Sequence, residues 1–110
     1  MPTAAEYREA AARLRTMGEN VLRRSATVSG WTLDAHVGPG PVNDRARRGL
    51  TVVAGHLTEA ADALARLAAT CDGRAATCDR YHARLADYLS LDAAQRALVQ
   101  RPQPPYSWVQ

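Results

Sequence analysis

The chain has 110 residues, 46% of them hydrophobic and 23% charged, with a net charge of +3, fourteen basic residues that are all Arg, and no Phe. That is enough chain for one domain. So mild a positive balance gives no electrostatic case for nucleic-acid binding, and no stretch of about 18 apolar residues is present to cross a membrane.

The first helix is expected over about residues 4–27. Thr3 and Glu6 have the spacing of a capping box, in which each side chain satisfies a backbone N–H of the first turn. Tyr7, Ala10, Leu14, Met17 and Val21 then repeat in steps of three and four, which places them on one stripe of a helix. Gly18 within that run costs up to about 1 kcal/mol relative to Ala and marks a place for close helix approach. The opening Met-Pro-Thr-Ala-Ala-Glu lacks the basic start and apolar core of a general secretory signal, so export would need another route.

A connection follows from Ser29 to Pro41, with Gly30, Trp31 and the run Gly38-Pro39-Gly40-Pro41. Pro41 suits the first position of a helix, where a missing N–H is no loss. Asn43 and Asp44 are competing caps. The second helix is expected over about 42–89, on the order of 70 Å long if continuous. Gly73 either kinks it or divides it, and the apolar register running through Cys71 and Cys78 favours one long helix.

That register is the strongest feature of the chain. Leu50, Val53, Leu57, Ala60, Leu64, Leu67, Cys71, Arg74, Cys78, Tyr81, Leu85, Tyr88 and Asp92 alternate in steps of three and four, the heptad spacing of a stripe that other helices bury. Arg74 interrupts it. Because an unpaired buried charge is costly, Ala75 is expected to take the core position there. Cys71 and Cys78, seven residues apart on a helix, stand about 10 Å from each other, beyond disulfide reach. They read as small apolar seam residues, or as thiols that cross-link two copies in an oxidising compartment.

Charged residues decorate the other faces. Glu9–Arg13, Glu19–Arg23, Asp44–Arg48 and Asp62–Arg66 each set an acid four residues before an Arg, stabilising a helix by about 0.2–0.5 kcal/mol per pair. Ser90-Leu91-Asp92 is placed to cap a short further helix over 91–100. Residues 101–110, with Pro102, Pro104 and Pro105, read as an extended tail in which Tyr106 and Trp108 are exposed. The helical part thus occupies 1–100.

The predicted fold is all-α: an antiparallel helical hairpin with a long second helix. Two helices bury one stripe each, and an Ala-rich stripe is flat, so little area is buried per residue. Pairing two hairpins into a four-helix bundle supplies the missing core. The pairing seam would comprise Leu50, Val53, Leu57, Leu64, Leu67, Cys71, Cys78, Tyr81 and Leu85, with a homodimer or a similar helical hairpin as partner.

Catalysis finds no support. His36, His56 and His82 are scattered, and none forms an acid–base or ligand arrangement. Gly38-Pro39-Gly40-Pro41 has prolines where a phosphate-binding loop needs N–H donors. Neither a metal site nor a cofactor is expected.

Three features give the chain a family likeness: its size with two amphipathic helices, the Ser29-Gly30-Trp31 turn, and Tyr88-Leu89-Ser90-Leu91-Asp92. It resembles the WxG-type (ESAT-like) small helical-hairpin substrates of type VII (ESX) secretion. The likeness covers about residues 4–92. Here Gly30 precedes Trp31 instead of following it at the Trp-x-Gly spacing, and the connection is long, as in a divergent secretion-associated relative. The resemblance implies that Tyr88 and Asp92 form a tyrosine-x-x-x-acid export signal, that Gly30 and Trp31 contact a partner, and that the protein is secreted or displayed on the cell surface. On a helix, Tyr88 and Asp92 would share a face. The alternative is that Tyr88 is the last core residue of the seam. The corresponding alternative function is a cytoplasmic helical adaptor or oligomerisation module without export.

Overall fold

A computed structural model describes residues 1–30 and 38–110. Among them there is no strand. Helix α1 runs Ala4–Ser29, α2 runs Pro41–Leu89 over 49 residues, and α3 is a single turn, Ala93–Arg96. The Thr3 hydroxyl accepts the Glu6 N–H at 3.2 Å at the start of α1. Pro41 opens α2 after Gly40, whose φ of 132° lies in the region only glycine adopts freely. The α2 helix continues through Gly73 without a break.

The chain forms two compact units. One comprises Arg13–Leu67 and the other Met1–Ala12 together with Ala68–Gln110.

Within the Arg13–Leu67 unit, the two helical segments run antiparallel. Gly18 lies against Ala61 and Leu64, and Ser25 against Ala54 and Thr58. The Ser25 hydroxyl is buried and donates to the Ala54 carbonyl oxygen at 3.0 Å, which also accepts from Thr58 Oγ1 at 3.1 Å. Small residues on both stripes let the backbones approach closely. A methyl group added at Gly18 would stand 3.7 Å from the Ala61 carbonyl oxygen and 3.8 Å from Leu64 Cβ, both ordinary contacts.

This closeness corrects the predicted register. Alternate seam positions are displaced by one residue onto alanine. Ala54, Ala61, Ala68 and Ala75 are buried, while Val53, Ala60 and Leu67 are exposed. On α1, Ala11 and Gly18 are buried where the spacing had suggested Ala10 and Met17. Large side chains cannot sit between closely spaced backbones, so Leu50, Leu57 and Leu64 flank the contact half-buried and the alanines occupy its centre.

In the other unit, Tyr7, Ala75, Cys78 and Val109 form a buried cluster, with Ala4, Cys71, Tyr81 and Trp108 packed against it. Ala75 takes the core position beside Arg74, as the cost of burying a charge requires. An ion pair joins Arg8 to Asp79. The hydrogen bond and charge of Asp79 push the Arg8 guanidinium further above its ordinary pKa.

Candidate functional site

The residues singled out from sequence fall into three places. The first is a flank of α2 in the Arg13–Leu67 unit. Val53, Ala60 and Leu67 repeat every seven residues and so lie along one side of the helix. Val53 is 48% and Leu67 54% exposed. Leu50, Leu57 and Leu64 are half-buried. On α1, Met17 is 51% exposed, and Leu14, Val21 and Val28 are half-buried. The larger aliphatic side chains of this unit are therefore only partly covered by the unit itself. A shallow apolar groove also opens beside Gly18, lined by Leu14, Leu22, Ala61 and Ala65.

The second place is the end of α2. Tyr88 is half-buried, and two guanidinium groups face its ring, Arg96 at 5.9 Å and Arg101 at 5.8 Å from the centroid. Arg96 also donates to the Leu89 carbonyl oxygen at 2.6 Å. The helix ends at Leu89, so Tyr88 and Asp92 do not share a helix face. Asp92 has extended backbone and caps α3: its carboxylate accepts the Gln95 N–H at 2.8 Å, and the Gln95 side chain accepts the Asp92 N–H at 3.1 Å. The sequence placed the cap within Ser90-Leu91-Asp92, and Asp92 is the residue that fills it; α3 stops at Arg96 where an extension to Gln100 had been expected.

The third place is the seat of Trp108. Its ring meets Tyr7 edge-on with centroids 6.0 Å apart and stacks on Tyr106 at 5.2 Å. The Arg74 guanidinium carbon lies 4.6 Å over the Trp108 ring, and Arg74 donates to the Tyr7 hydroxyl at 3.3 Å. Val109 is 4% exposed. The segment expected to be solvated is thus folded back onto α1 and α2 within its unit. Sequence reasoning missed this because the contacts join residues up to about a hundred positions apart. The available signal was an Arg at a seam position with an unmatched Trp elsewhere.

Cys78 is 1% exposed and Cys71 half-buried, both as free thiols on α2. So deeply covered a thiol at Cys78 cannot cross-link two copies while the cluster is closed. Tyr81 and Leu85 are half-buried, with Tyr81 tilted against His82 at 5.6 Å. His56 and His82 are exposed. Gly30 closes α1, its N–H shared between the Ala26 and Thr27 carbonyl oxygens at 3.0 and 3.2 Å. Trp31 and His36 lie outside the described residues. Among the described residues, no three His, Cys, Asp or Glu side chains gather where a metal could bind, and no helix is long and apolar enough to cross a membrane.

No family model, curated protein or solved structure matches this chain.

Proposed function

We propose that this chain is a non-enzymatic helical hairpin that acts by pairing with a protein partner, as a substrate or associated protein of type VII secretion. The pairing would be with itself or with a similar hairpin, in a four-helix bundle.

One observation carries the pairing. Among the described residues, the buried apolar ones are mostly Ala, and Cys78 is the largest side chain less than 2% exposed. Each methyl or methylene withdrawn from water contributes only about 0.8 kcal/mol, against about 1.5–3 kcal/mol for a whole Leu or Val side chain. The Leu and Val residues that would supply that stabilisation lie on the uncovered flank with Val53 and Leu67. A partner helix laid along this flank would bury them.

The secretion reading rests on the resemblance of Ser29-Gly30-Trp31 and of Tyr88 to Asp92, and it implies a secreted or surface location. The adaptor reading without export draws on a different observation: Asp92 is engaged in capping α3 and stands off the helix that carries Tyr88. Cell fractionation separates the two. In a host with a working type VII system, export that is lost in a folded Tyr88→Ala variant supports secretion. An intact protein found only in the cytosol removes it.

A further inference from the structure

The charge of this chain is unevenly placed. Residues 20–51 hold five Arg against Asp34 and Asp44, which accounts for the whole net charge of +3; the other nine Arg are matched by nine acidic residues. Arg23 and Arg24 lie in the last two turns of α1, and Arg45, Arg47 and Arg48 in the opening turns of α2. All five are exposed. Gly18 lies beside Ala61 and Ser25 beside Ala54, a pairing that sets Ser29 beside Leu50. The turns of α2 before Leu50 therefore run past the last turn of α1. Arg23 donates to Asn20 and Arg47 to Asn43, while Arg24, Arg45 and Arg48 make no ion pair among the described residues.

Helix stability does not account for this arrangement. Cations near the start of a helix oppose its dipole, and α2 carries three of them there. Nor do the five Arg form a track. Successive residues turn by about 100° around a helix, so these side chains girdle the end of the unit instead of lining one face. A nucleic-acid backbone is gripped along a face or stripe. A girdle meets a broad surface approached end-on. Val42 lies ahead of it in the first turn of α2 and is 70% exposed. An apolar tip in front of a ring of guanidinium groups suits a lipid interface, where the acyl boundary takes the one and the phosphates take the other. A second copy of the chain is no match, because it brings the same cations.

We propose that this end of the Arg13–Leu67 unit, with Val42, Arg23, Arg24, Arg45 and Arg48, docks on the surface of an anionic lipid bilayer. The docking does not depend on the pairing function proposed above.

Sedimentation of the full-length chain with phosphatidylcholine vesicles, with and without phosphatidylglycerol, tests it. The chain should bind the anionic vesicles and not the neutral ones, and raising the salt from about 0.05 to about 0.5 M should weaken binding about tenfold or more. Arg45→Gln/Arg48→Gln should weaken it about tenfold or more with the helical circular dichroism unchanged. Arg80→Gln/Arg84→Gln, the same loss of charge in the balanced part of the chain, should leave it within about twofold. Val42→Ser should weaken binding without altering its salt dependence. If Arg45→Gln/Arg48→Gln loses its helical signal, Arg24→Gln on α1 decides in its place. Failure to bind anionic vesicles, equal binding to neutral ones, or equal losses in the two double variants overturns the proposal. Capture by a DNA duplex at the same phosphate concentration, as strong as capture by the vesicles, overturns it too.

Discussion

The guanidinium carbon of Arg74 lies 4.6 Å from the centroid of the Trp108 ring. Arg74 breaks the apolar spacing of α2 and Trp108 stands in a Pro-rich segment. Each looks out of place until the other is considered. The pair fixes the segment to the helix with a planar cation over an aromatic face, a contact worth about 0.5–2 kcal/mol depending on its exposure to water.

Arg74→Ala should therefore loosen Trp108 and lower stability by about 1–2 kcal/mol. Arg74→Lys should recover only part of this, because an ammonium cannot stack as a guanidinium does. In a Trp31→Phe background, Trp108 fluorescence should shift to the red in Arg74→Ala, and urea unfolding gives the stability change. Fluorescence unchanged from the parent would show that Arg74 does not seat the ring.

Gly18→Ala should stabilise the protein by up to about 1 kcal/mol, since the new methyl meets its neighbours at ordinary distances and Ala favours the helix. Gly55→Ala and Gly73→Ala, with open space around them, should do the same. Gly40→Ala should destabilise instead, because its φ of 132° strains any side chain. Thermal unfolding of the four variants checks the signs.

Ser25→Ala leaves the Ala54 carbonyl oxygen its bond from Thr58 but removes the direct link between α1 and α2. The expected cost is about 0.5–1.5 kcal/mol by urea unfolding. Ser25→Leu should cost more, about 1–3 kcal/mol, because the contact has no room for it. A stable Ser25→Leu protein would contradict the close packing of the two stripes.

Asp92 is open to a cleaner test than Tyr88. Asn caps a helix as well as Asp does, so Asp92→Asn should leave α3 and overall stability unchanged, while Asp92→Ala should cost about 1 kcal/mol of local stability. Amide hydrogen exchange at Gln95 measures the cap. Export retained in Asp92→Asn would show that the carboxylate charge is not what a receptor reads.

The helices were legible in the sequence because their signals are local. Thr3, Pro41 and Asp92 each stand where a helix starts, and the spacing of Leu50, Leu57 and Leu64 fixes one side of α2. Which residues occupy the centre of the contact was not legible. Hydrophobicity ranks Val53 and Leu67 above Ala54 and Ala68, and only the small residues at Ala11, Gly18 and Ser25 on the facing helix reverse that order. The seam from Cys71 to Tyr88 was visible as a stripe that other helices bury. That Trp108 and Val109 join Tyr7 in covering part of it was not, since nothing near it in sequence points to them. The Arg8–Asp79 pair was hidden by the same separation along the chain.

Pairing along the flank of Val53 and Leu67 is decided by light scattering of the purified protein, alone and mixed with a similar helical hairpin from the same organism. A complex of two hairpins is expected in at least one of the two samples, lost in Val53→Glu/Leu67→Glu while helical content is kept. A folded, stable species of 11.9 kDa in both samples would contradict it.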